Sequence, residues 1–148
     1  MSSKLPIEYV DIRVSAHATE DLQKVQAAVR NLMPDELAQT IFFETANLTG
    51  HYGNPITLVT TKLTDKKLLS KALEKIGAGL NSLDKEQLCT DLVLHLERGN
   101  LYLRFDKQAA LLGQFKFTQN DPIHLKIHFK NKTSDQIIEL CRASGMFP

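Results

Sequence analysis

The stretch IHLKIHFK at 123–130 places Ile123, Leu125, Ile127 and Phe129 on one parity and His124, Lys126, His128 and Lys130 on the other. In a strand this is an apolar face backed by a row of basic or protonatable side chains. Neighbours two residues apart on one face lie roughly 6.6 Å from each other, a spacing comparable to that of successive phosphates in an extended single strand of nucleic acid. Such a row can follow a polyanion, and it can equally belong to an edge strand whose lysines block sheet-to-sheet aggregation. His124 and His128 make a poor metal pair, because four residues of strand hold them about 13 Å apart.

Two further groups carry chemistry of the same kind. The segment Gly50-His51-Tyr52-Gly53-Asn54-Pro55 is more elaborate than a minimal turn. His51 and Tyr52 offer rings for stacking, Asn54 offers an amide that reads a base edge, and Gly50 and Gly53 permit unusual backbone angles and close approach. A wide connection bent by Asn-Pro accounts for the same residues. It is not a phosphate loop, since no lysine and hydroxyl follow the glycines in the GxxxxGK[ST] pattern. Arg104, close to Asp106 and Lys107 at the end of an alternating stretch, either clamps a phosphate or pairs with Asp106. Lys66, Lys67, Lys71 and Lys75 form one side of a helix that Asp65 and Glu74 dilute, which reads as a solvated face.

Catalysis finds little support. There is no HExxH and no G-x-S-x-G, and the acids are scattered singly. Cys89 and His95 fall on different faces of their helix. No catalytic residue, metal site or cofactor is therefore expected. The two cysteines, Cys89 and Cys141, lack CxxC spacing and read as free core thiols of a cytosolic protein. Eighteen Lys+Arg against seventeen Asp+Glu leave a net charge of +1, so any polyanion site is a local patch and not a general basic coat. No apolar run approaches the roughly 18 residues of a membrane span, and MSSKLPIEYV lacks the apolar stretch of a signal peptide. A soluble cytoplasmic protein is the expectation.

The elements that must position these groups follow from periodicity. Residues 7–17 alternate, with Val10, Ile12, Val14 and Ala16 inward and Tyr9, Asp11, Arg13 and His17 outward. Thr19-Glu20-Asp21 marks a helix start, and the helix ends near Pro34. Residues 40–46 and 56–62 read as strands. A helix from Thr64 stops at Gly77 and Gly79, and another from about Leu83 stops at Gly99-Asn100. Residues 101–105 form a short strand with Tyr102 and Arg104 outward, and 115–117 and 123–130 a hairpin-like pair. Thr133 and Gln136 match a capping box for the last helix. The order β-α-β-β-α-α-β-β-β-α predicts one α+β domain over residues 1–148. Its two layers are a mixed sheet and helices covering one face, with the other face more polar.

The stretches GHYGNPI at 50–56, LYLRFDKQAA at 101–110 and IHLKIHF at 123–129 resemble an archaeal family of RNA-binding proteins predicted to be exosome subunits. Nearly the whole chain takes part in the likeness. The resemblance implies a fold similar to ribosomal protein L-five and contact with RNA at Gly53, Asn54, Arg104, Lys107 and the basic strand. With His51 and Tyr52 as stacking rings, the expected RNA site is His51, Tyr52, Gly53, Asn54, Arg104, Lys107, His124, Lys126, His128 and Lys130. The function this implies is a non-catalytic RNA-binding accessory in RNA processing or degradation, with RNA and exosome subunits as partners. The alternative is a protein interaction module that makes no RNA contact.

Overall fold

Alternating sequences become strands here wherever their apolar parity has a helix to cover it. In the computed structural model, which describes residues 6–50 and 52–147, the strands are β1 (Ile7–His17), β2 (Glu44–Thr49), β3 (Pro55–Leu63), β4 (Leu96–Glu97), β5 (Asn100–Phe105) and β6 (Ile123–Phe129). They form one sheet in the order β2-β3-β1-β6-β5-β4. The helices are α1 (Leu22–Asn31), α2 (Asp35–Ala38), α3 (Lys66–Gly79), α4 (Ser82–His95), α5 (Lys107–Leu111) and α6 (Ser134–Ala143). The inward parities hold without exception on the two central strands: Val10, Ile12, Val14 and Ala16 of β1 and Ile123, Leu125, Ile127 and Phe129 of β6 are all buried. They join Val25, Val29, Leu69, Leu73, Ile76, Leu88 and Ile137 from the helices in one core.

The α+β two-layer architecture agrees with the expectation, while the sheet is antiparallel in every pairing and not mixed. The reason is topological. The α1–α2 crossover delivers the chain to the far edge as β2, and the β2–β3 hairpin then returns β3 antiparallel beside β1. Caps match their sequence signals in α6, where Thr133 and Gln136 complete the capping box. In α1 the cap is Asp21, whose carboxylate accepts from the Gln23 N–H at 2.9 Å, and Thr19 is left in the preceding turn.

The expected hairpin of 115–117 with 123–130 does not form. Phe117 makes a single bridge to Phe105, and the rings of Phe115 and Phe117 pack on Phe105 at centroid distances of 5.7 and 5.1 Å. Burial of the two phenylalanines therefore holds the segment against β5. Cys141 is buried as expected and its thiol is pushed up to about 12 by burial, but Cys89 is exposed. The buried stripe of α4 consists of Leu88 and Leu92, four apart, and position 89 lies about 100° around the helix from Leu88.

Gly77 does not stop α3 but lies inside it, and the helix ends on Gly79 as expected. A Cβ on Gly77 would stand 2.9 Å from the backbone of Ser144 and Gly145, so this glycine lets α3 approach the turn after α6. Gly77→Ala is therefore expected to destabilise by about 1–3 kcal/mol through overpacking, although alanine is favoured in an isolated helix by about 1 kcal/mol. Thermal melting checks it. A raised melting temperature would show that the turn yields and that propensity decides.

Candidate nucleic-acid interface

The face of the sheet opposite the core carries the outward parities, and strand register sets them out in rows. One row runs Glu44, Thr60, Arg13, His124, Arg104 across β2, β3, β1, β6 and β5. The next runs Lys62, Asp11, Lys126, Tyr102, and a third Tyr9, His128, Asn100. Six of these side chains, Arg13, Lys62, Arg104, His124, Lys126 and His128, are cationic or protonatable, and two acids, Asp11 and Glu44, stand among them. A trough of about 730 Å³ opens over this face, lined by residues that include Arg13, Thr60, Lys62, Tyr102, His124 and Lys126, with the exposed ring of Phe42 at its β3 side. Antiparallel neighbours are about 4.8 Å apart, so the backbones carrying Arg13 and Arg104 flank His124 at a mutual distance of roughly 10 Å.

The electrostatics follow from this crowding of like charge. Burial, then the Arg104 charge, then the Arg13 charge hold the His124 imidazole below its ordinary 6.5, with Asp121 opposing them. The lysine ammoniums are steadied by an aromatic ring: Lys62 Nζ lies 4.3 Å and Lys126 Nζ 5.9 Å from the centroid of Tyr9, a cation–π arrangement that leaves the charges at the surface. Fixed cations beside aromatic faces suit a ligand with phosphates and bases.

A family model described as RNA binding matches residues 9–129 of the chain. The chain belongs to this RNA-binding family. An RNA-binding protein of Pyrococcus abyssi, PAB1135, is 35% identical over 133 residues, covering 88% of this chain and 86% of that protein. Two solved structures share the fold at 28% identity each. AF2318 of Archaeglobus fulgidus, a DUF54 protein, superposes with a TM-score of 0.76 over 93% of this chain and 99% of its own. Mth689 of Methanothermobacter thermautotrophicus, likewise a DUF54 protein, does so with a TM-score of 0.75 over 96% and 98%. The family match begins at Tyr9 and ends at Phe129, so it takes in every residue of the trough.

Within this RNA-binding family member, the ten sequence-predicted site residues do not converge. His124 and Lys126 line the trough, and Arg104 stands at its border on β5, in register with His124. His128 shares their parity but is drawn into a side-chain network: its Nδ1 lies 2.7 Å from Asn100 Oδ1, its Nε2 3.7 Å from Glu8, and its ring stacks on Tyr9 at 4.9 Å. Lys130 is exposed beyond the last residue of β6. The loop at 50–54 closes the β2–β3 hairpin, with Gly50 N–H donating to the Asn54 carbonyl at 2.7 Å. Six residues of strand put Asn54 roughly 20 Å from Thr60 and the trough. Tyr52 and Asn54 are exposed there, and Gly53 takes a φ of 80°; His51 lies outside the described residues. Arg104 does not compete for Asp106, whose carboxylate caps α5 by accepting from the Ala109 N–H at 2.8 Å. Arg13, Lys62, Tyr102 and Phe42 are site residues that motif reading missed. Outward parity already flagged Arg13 and Tyr102.

Lys107 is turned away from the trough into an ion cluster. Its Nζ lies 2.8 Å from the Ser15 carbonyl, 2.9 Å from Glu20 Oε1 and 2.6 Å from Asp121 Oδ2, while His17 Nε2 approaches the same Asp121 oxygen at 3.0 Å. His17, Glu20 and Asp121 bring their ligand atoms within 4.8 Å of one another, and the cation they hold is this ammonium. Burial pushes the Asp121 carboxyl up, but Lys107 and then His17 outweigh it and keep its pKa below the ordinary 3.8. Stability from Asp121 is therefore complete above its unfolded value and disappears as the pH falls through the lower, folded one. Lys107→Met is expected to cost about 1–3 kcal/mol at neutral pH, because two acids lose their partner. Its melting temperature should also fall less steeply than wild type on acidification below about pH 4. Parallel slopes in thermal melts across that range would remove Asp121 from the account.

Proposed function

We propose that this chain is a non-catalytic RNA-binding accessory protein of RNA processing or degradation, and that it grips RNA with the open face of its sheet. The observation that carries this reading is the convergence of Arg13, Lys62, Arg104, His124 and Lys126, with Tyr9 and Tyr102, on one side of a protein whose net charge is only +1. A concentrated patch supplies the phosphate attraction that overall charge does not. Family membership and the RNA-binding relative from Pyrococcus abyssi support the ligand class. The resemblance of residues 50–56, 101–110 and 123–129 supports action beside exosome or other RNA-processing subunits, on a fold like that of ribosomal protein L-five. Cys89 and Cys141, without CxxC spacing, support a cytoplasmic setting. Leu83, Val93 and Leu94, which are 74%, 77% and 84% exposed on α4, favour protein contact as a second role.

Titrating binding to a short RNA against salt tests the reading. Affinity that falls steeply and linearly with the logarithm of salt concentration is the expected result. Absence of RNA binding at low salt, beside a stable complex with another protein, would make the chain an interaction module.

A further inference from the structure

The trough is shaped for a single strand more than for a duplex. Its lining spans five adjacent strands, β2, β3, β1, β6 and β5, and four inter-strand gaps give a path of roughly 19 Å. At one end Tyr102 stands in register with Lys126. At the other Phe42 is 78% exposed, its carbonyl accepting the Thr61 hydroxyl at 2.9 Å. Between these rings lie Lys62, Arg13 and His124. An A-form duplex presents sugar hydroxyls, phosphates and base edges while its base faces stay stacked inside, so aromatic rings on a sheet floor have nothing to meet. Aromatic platforms alternating with fixed cations suit unstacked bases joined by phosphates.

We propose that the trough binds a short segment of single-stranded RNA running across the β-strands, with a phosphate seated on the Arg13–His124–Arg104 row and a base stacked on Tyr102. This rests on the RNA-binding reading above and adds to it the strandedness of the RNA and its path across the sheet. Arg13 and Arg104 donate from two sides to the same anion, and His124 between them donates once the anion offsets their field. Glu44, on β2 opposite Thr60, repels a second phosphate at that end and leaves it to the Phe42 ring. Stacking is tolerant of base identity, so the segment is recognised with little sequence preference.

Fluorescence anisotropy with a labelled single-stranded RNA of about ten nucleotides, and with the same sequence annealed to its complement, tests this in wild type, Tyr102→Leu and Tyr102→Phe. Wild type should prefer the single strand. Tyr102→Leu should weaken single-strand binding about tenfold and leave duplex binding unchanged, and Tyr102→Phe should restore it. Circular dichroism of the variants checks that the half-buried position tolerates the change. Equal binding of both forms, with Tyr102→Leu without effect on either, would overturn the single-strand assignment and leave RNA binding in place. Failure of wild type to bind either form at low salt would remove the RNA-binding reading and this assignment together.

Discussion

The double substitution Arg13→Gln with Arg104→Gln is expected to weaken RNA binding by about 3 kcal/mol, on the order of a hundredfold, without unfolding the protein. Each guanidinium contributes a charge-assisted contact to phosphate, worth about 1.5–3 kcal/mol. Both side chains sit on the outward parity, in register with His124 from either side, so their replacement leaves the core untouched and shifts stability by only about 0.5 kcal/mol each. Two lost phosphate contacts should flatten the slope of log affinity against log salt by roughly 1.4, equally for RNAs of different sequence. The same variant carries an internal check. Removing the two charges that depress His124 should move its pKa back toward the ordinary value, which an NMR titration reads directly. Lys130→Gln serves as the control, since that residue lies past the end of β6 and outside the trough. If the double variant keeps wild-type affinity and slope while Lys130→Gln loses both, RNA is held at the end of the basic strand and not on the sheet face.

Phe105→Ala is expected to be the most damaging single change to the fold, at about 3–5 kcal/mol. That is a large share of the roughly 5–15 kcal/mol by which a domain is stable. Phe105 is 0% exposed and receives Phe115 edge-on and Phe117 in a stacked arrangement. It also joins the segment after α5 to the sheet, through the bridge to Phe117 and the Asp106 N–H donating to the Lys116 carbonyl at 2.8 Å. Truncation therefore leaves a cavity and frees the only aromatic anchors of that segment. A melting temperature lowered by about 10 °C or more is the expected observation. A shift of only a degree or two would mean that Phe115 and Phe117 collapse into the space.

Much of this architecture is local and was legible in the residues. A period of two separated Val10, Ile12, Val14 and Ala16 from Tyr9, Asp11 and Arg13, and it did the same for β5 and β6, because pleat geometry alone sends successive side chains to opposite faces. Thr133 and Gln136 found the start of α6 because a capping box is complete within four residues. The outward placement of Arg104, His124 and Lys126 was legible for the same reason. What the tertiary structure decided is which strands lie side by side and at what register, since that choice joins residues far apart in the chain. It placed Arg13 and Arg104 on either side of His124, took His128 from the basic row to Asn100 and Glu8, and carried Lys107 to the Ser15 carbonyl 92 residues away. It also kept Gly77 inside α3, where close approach of Ser144 and Gly145 excludes a side chain, while Gly79 at the helix end faces Phe115. Propensity and parity act over a few residues, whereas register is chosen by the joint burial of every inward side chain. The site is a by-product of that choice on the opposite face.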